Sequence, residues 1–172
     1  MSRHAGPGPG GGPAAPTTEP SYAERARTLV HLARAGALST LSRRHPGHPF
    51  GSVMPYAPDP QGAPLLLISG MAMHTQNLEA DARASLLVTE PGGKEDPLAA
   101  GRVTVMGRAT RVADGGRPAA RATYLDRHPE ARQWVDFEDF AFWRLEVSDV
   151  YFVGGFGAMG WVTAADYVGT HP

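Results

Sequence analysis

The sequence predicts a mainly β fold, an antiparallel sheet or barrel flanked by helices. Short apolar runs at 65–68 and 86–88 are too brief for ordinary helices and are bounded by turn-forming residues, which favours strands. Residues 102–112 alternate, with Val103, Val105, Gly107 and Ala109 on one side and Thr104, Met106, Arg108 and Thr110 on the other. That is the pattern of a strand with one face on a core. Consecutive strands are joined by short loops, which argues for antiparallel pairing over a doubly wound parallel sheet.

Order begins at Ser21. Ser21 and Glu24 form a capping box, Tyr22, Ala26, Leu29, Val30 and Ala33 share one helical face, and Gly36 stands where a left-handed cap would close the helix. Residues 37–43 and 50–57 read as strands around a loop whose Pro46, Gly47 and Pro49 exclude a helix. The stretch 59–62 is a hairpin-like connection into a strand at 64–69. A small-residue loop, a short polar helix start and the strand around 86–88 follow, then a polar loop at 91–97 and the long strand 102–112. A helix is expected at Arg117–Arg127, with Pro118 tolerated in its first turn and His128-Pro129 as its stop. Residues 130–134 offer one more turn, 140–146 alternate as a strand, and 149–155 form a last strand running into a Gly-rich segment. The total is six or seven strands and two or three helices.

Composition narrows the chemistry. At 172 residues the chain makes one domain with its own core, and 42% hydrophobic content is ordinary for a globular protein. A net charge of −1 gives no electrostatic reason to expect nucleic acid or a membrane surface as partner. The absence of cysteine excludes disulfides, thiolate catalysis and Cys-based metal sites. No apolar run approaches the roughly 18 residues of a membrane span. Residues 1–20, nearly all Gly, Pro, Ala, Ser and Thr, read as a disordered tail before a domain at 21–172. The tail has neither a secretory apolar core nor an Arg-rich pattern, so a cytoplasmic location is the default expectation.

The segment 65–90 holds the best candidate chemistry. Ser69, His74, Thr75 and Asn77 offer donors where a helix start exposes unpaired N–H groups, which can hold an anion such as a cofactor phosphate. Alternatively Thr75 or Ser69 simply caps that helix. Residues 155–160 match the letters G-x-G-x-x-G, but only about a dozen residues follow, too few for a second parallel strand and its ribose-binding acid. A permissive turn remains, able to approach a flat ligand closely. Seven histidines occur without H-x-x-x-H or H-E-x-x-H spacing, so no dedicated zinc site is expected, though His74 is best placed to ligate haem iron. Hydrolase elbows and paired carboxylates are missing. Arg102, Arg108 and Arg144 are the candidate anion partners, and Trp134, Phe137, Phe140, Phe142 and Trp143 read as core or subunit-interface aromatics.

In their order, 36–41 with 51–56, 65–90, and 102–109 resemble the pyridoxamine 5′-phosphate oxidase-like, flavin mononucleotide (FMN)-binding split β-barrel superfamily. Trp143-Arg-Leu-Glu146 followed by residues 151–158 is similar to the HugZ-type haem-utilisation proteins within it. The resemblance implies a homodimer with ligand sites in the groove between barrels. It implies FMN phosphate held by Ser69, His74, Thr75 and Asn77, and a flavin ring against Ser52, Val53, Met54 and Pro55. Trp161 or Arg144 of a partner subunit would close the site. Pyridoxamine phosphate oxidases usually carry an Arg/Lys-rich phosphate cradle, and here His74 and Thr75 stand in that place. HugZ-type proteins have an additional C-terminal domain with a haem-ligating histidine, while this sequence stops at Pro172.

The leading expectation is therefore a dimeric FMN-dependent oxidoreductase acting on a small molecule, with the flavin supplying the redox chemistry. A deazaflavin in its place is left open. Haem binding or degradation of the HugZ type ranks second, and a non-catalytic split-barrel binding module third.

Overall fold

The computed structural model describes residues 19–92, 96–155 and 157–172. Residues 1–18 of the expected tail at 1–20 and the middle of the polar loop, 93–95, lie outside the described residues. Helix α1 (Tyr22–Leu32) starts at the expected capping box: Ser21 N donates to Glu24 Oε2 at 2.7 Å and Glu24 N donates to Ser21 Oγ at 3.2 Å. The helix does not run to Gly36. Ala33 ends it in extended backbone, and Gly36 lies inside β1 (Ala35–Leu41), where a Cβ would stand 2.6 Å from Leu87 O. This glycine is required by strand approach, not by a left-handed cap.

Strand β2 (Pro49–Pro55) returns against β1, and the two-residue β3 (Ala57–Pro58) leads through a tight turn to β4 (Pro64–Ser69). Asp59 Oδ1 accepts from the N–H groups of Gln61 and Ala63, both at 2.9 Å, and Gly62 takes the left-handed φ of 84° that the turn needs. Helix α2 (Met73–Ala80), β5 (Arg83–Thr89), β6 (Arg102–Arg111) and α3 (Arg117–Arg127) follow, the last with the expected bounds. A 3₁₀ turn at Pro129–Gln133 supplies the extra turn.

The two strands expected at 140–146 and 149–155 are one, β7 (Phe140–Val153). Gly107 pairs with Val147 and Met106 with Asp149, so Ser148 is the extra residue of a β-bulge. The polar Ser148-Asp149 pair thus marks a kink within a strand rather than its end. Beyond the Gly-rich turn, where Gly155 and Gly157 have φ of 99° and 84°, lie β8 (Met159–Thr163) and α4 (Ala164–Val168). Neither was expected. The capping pair Thr163 and Asp166, with Asp166 N donating to Thr163 Oγ1 at 3.1 Å, is the sequence signal that marks α4.

All pairings are antiparallel, in the order β2-β1-β5-β6-β7-β4-β3, with β8 also on β7. Along one edge β7 pairs with β6. Along the other it meets β4 with its first half and β8 with its second. The sheet curls until β2 approaches β4. Its concave face holds Leu38, Leu66, Leu86, Val103, Val105, Leu145 and Val150, closed over by Ala26, Leu29 and Val30 of α1 and Tyr167 of α4. Each such leucine contributes about 1.5–3 kcal/mol by leaving water. A second cluster on the other side of β4 packs Leu65, Leu67 and Phe142 under Ala120, Tyr124 and Leu125 of α3, which is why β4 is apolar at nearly every position. Among the described residues no helix is long and apolar enough to cross a membrane.

Candidate functional site

At the junction of β4 and α2 the expected phosphate donors are already engaged. Thr75 is buried and its hydroxyl donates to Ser69 O at 2.6 Å. Asn77, fully buried, donates from Nδ2 to Thr40 Oγ1 at 3.0 Å and accepts from Arg43 N at 2.9 Å through Oδ1, tying α2 to the β1–β2 turn. Ser69 Oγ donates to Asp139 Oδ2 at 2.5 Å and accepts from Met71 N at 3.1 Å. Neither Thr75 nor Ser69 caps α2, whose N-cap is Ala72 without a side-chain bond. The N–H groups of Thr75 and Gln76 both go to Ala72 O. The depression beside this junction is lined by Glu79, Glu138 and Asp139 against the single cation Arg111. A phosphate dianion would enter a field of carboxylates, so the junction does not fit the flavin phosphate.

His74 is half-buried on α2, and burial pushes its imidazole below the ordinary value near 6.5. The neutral ring is the form the fold accepts, so the unfolded chain binds the proton more tightly. Stability from this group is complete above pH 6.5 and is lost as the pH falls through that value toward the lowered one. Thermal melts at pH 7.5 and pH 5.5 should therefore show a smaller acid loss for His74→Gln than for the parent. An identical loss in both would remove His74 from the account.

The residues expected against a flat ring separate by strand alternation. Ser52 and Met54 belong to the set facing the barrel interior, with Met54 buried. Val53 and Pro55 face outward, and Val53 is 85% exposed. Register carries Val53 across the convex face of the sheet: opposite it lies Ala37, then Leu87, Thr104, Tyr151 and Trp161. This row includes Trp161, 63% exposed and packed on Tyr151 with ring centroids 4.9 Å apart. The next row is Gly51, Ser39, Ser85, Met106, Asp149 and Thr163. Its small members Ser39 and Ser85 floor a slot of about 290 Å³, walled by Leu41, Pro49 and Arg83 and ended by Met106. An outward apolar row of this extent marks an interaction surface.

Val53 and Trp161 are five strand spacings apart, about 24 Å, so one small molecule cannot touch both on a single chain. Arg144 sits elsewhere. Its Nε donates to Asp59 Oδ2 at 2.7 Å, Nη2 to Gln61 Oε1 at 2.8 Å, and Nη1 to Glu146. It is a clamp on the β3–β4 turn. The sequence reading missed Leu87 and Arg83 as face residues, and for Leu87 the reason is that the run 86–88 conceals which of its leucines points outward. Only the register resolves that.

The family model described as "CREG, beta-barrel" matches residues 17–169. The chain belongs to the CREG β-barrel family. It has the split-barrel fold that the sequence resemblance implied. This CREG chain is 38% identical over 135 residues to the non-canonical haem oxygenase HOZ, chloroplastic, of Arabidopsis thaliana, covering 78% of this chain and 41% of that protein. It is 28% identical over 167 residues to protein CREG1 of Gallus gallus, covering 87% of this chain and 86% of the chicken protein. The structure of a haem-binding protein from Mycobacterium smegmatis superposes with a TM-score of 0.85 at 39% identity, over 90% of this chain and 63% of that one. The CREG chain thus spans less than half the length of the plant relative it matches. Two of these relatives are named for haem, which supports the haem alternative better than the flavin reading that was placed first.

Proposed function

We propose that the protein binds haem on the convex face of its sheet, as a homodimer. The observation that carries this is the outward row of exposed Val53, Leu87 and Trp161 with half-buried Tyr151, beside a slot floored by Ser39 and Ser85. A porphyrin is a flat apolar plate, and a small-residue slot edged by Leu41, Pro49 and Met106 suits such a plate better than it suits a polar substrate. Two relatives at 38% and 39% identity are named for haem oxygenation and haem binding, which supports the same ligand. The row is self-complementary under a two-fold axis, and a second copy laid over it covers the patch and brings Trp161 of one copy toward Val53 of the other. When bound, haem supplies redox-active iron. The protein positions and desolvates the ring.

Titration with haemin tests the reading. A saturable Soret band near about 400 nm at about one haem per chain and low-micromolar affinity is expected. FMN in a parallel titration is expected to give no saturable change. Saturation by FMN with none by haemin would reverse the assignment. Degradation of bound haem on adding a reductant and oxygen, read as loss of the Soret band, is the activity to seek once binding is established.

A further inference from the structure

In the β5–β6 register Arg83 stands directly opposite Arg108. Both belong to the outward set, one row beyond Ser85 and Met106, at the end of the slot, and Arg83 is one of its walls. Directly opposed residues of an antiparallel pair have Cα atoms only about 4.5–5.5 Å apart. Like charges at that separation work against the sheet. One partner is compensated: Arg83 Nε donates to Asp81 Oδ1 at 3.0 Å and Nη2 to Asp81 Oδ2 at 2.6 Å. Arg108 makes no hydrogen bond or ion pair among the described residues. Glu146, its partner on β7, is engaged by Arg144 and by Thr110 Oγ1 at 3.5 Å. The face thus sets two exposed guanidinia beside an apolar slot, one of them bonded to the Asp81 carboxylate.

We infer that Arg83 and Arg108 clamp the paired carboxylates of the ligand whose flat apolar body fills the slot. The inference rests on the haem reading and assigns the two propionates to this end of it. Arg108 can take one carboxylate through two parallel N–H donors, and Arg83, whose Nε and Nη2 are held by Asp81, presents its Nη1 to the second. The ring then extends from the arginines across the Ser39–Ser85 floor toward Val53 and Leu87.

The test compares haemin with haemin dimethyl ester, which has the same ring and no carboxylates, on the parent and on Arg83→Gln/Arg108→Gln. Haemin affinity is expected to fall by more than tenfold in the variant while the ester binds parent and variant alike. Without ligand the variant should melt within a degree or two of the parent, since the opposed charges and the exposed Arg83–Asp81 pair are removed together. Its mass in solution should equal the parent's. Unchanged haemin affinity, or an equal loss for haemin and ester, overturns the clamp. A fall in mass together with loss of the ester also overturns it, because the arginines would then serve the dimer instead. If the parent binds neither compound, the haem reading itself fails, an outcome distinct from all of these.

Discussion

Gly107→Ala should destabilise the fold by about 3 kcal/mol, the upper end of what one added methyl does in a packed interior. A Cβ at this position would lie 1.9 Å from Glu146 O and 2.8 Å from the carbonyl carbon behind it, and both are backbone atoms of β7. A flexible side chain could swing away, but a strand held by β4, β6 and β8 cannot. The clash falls at the bulge, where β7 bends toward β6 around Ser148. Urea unfolding followed by circular dichroism measures the effect, with Gly51→Ala as control. On the edge strand β2 a Cβ at Gly51 meets nothing within 4 Å, so its change should stay within about 0.5 kcal/mol. Equal losses at the two positions would refute the steric account. The same substitution pushes apart the segment carrying Met106 and Arg108, so haem affinity should fall along with stability.

Local signals carried much of the fold. The Ser21–Glu24 box and the stretch Arg117–Arg127 were legible because capping chemistry and proline placement are written in consecutive residues. The alternation at 102–112 correctly divided buried Val103, Val105, Gly107 and Ala109 from their outward neighbours. What failed depended on distant partners. Gly36 has the letters of a helix cap, and only the approach of Leu87 O shows why a glycine is needed there. Ser148 resembled a strand end because nothing local distinguishes a bulge from a turn. Thr75 and Asn77 have the donors of an anion site, but α2 turns them toward Ser69 O and Thr40 Oγ1, so the same chemistry that attracted attention holds the framework together. A row such as Val53, Ala37, Leu87, Thr104, Tyr151 and Trp161 draws on six strands. It exists only once the order β2-β1-β5-β6-β7 with β8 is known.

On the proposed homodimer, Leu87→Asp should give a folded monomer that no longer binds haem, weakening self-association by at least a hundredfold. Leu87 lies in the apolar row between Ala37 and Thr104 and keeps 39% of its surface in a single chain. A second copy laid on this face would bury it, and a carboxylate there would face the same carboxylate related by the two-fold axis, or else apolar side chains that cannot solvate it. Light scattering after gel filtration reads the mass, and circular dichroism checks that the barrel is intact. The neighbouring Leu86→Asp supplies the contrast. Leu86 is fully buried on the concave face, so there the charge enters the core and the chain should unfold. A parent that is monomeric at about 50 µM, far above the affinity of a stable dimer, would remove the homodimer. A dimeric Leu87→Asp would place the interface elsewhere on the molecule. Loss of haem by a folded Leu87→Asp monomer follows either from the charge set against the ring or from each chain holding only part of the site. The distance of about 24 Å between Val53 and Trp161 along the row already requires this if both are to reach the same ring.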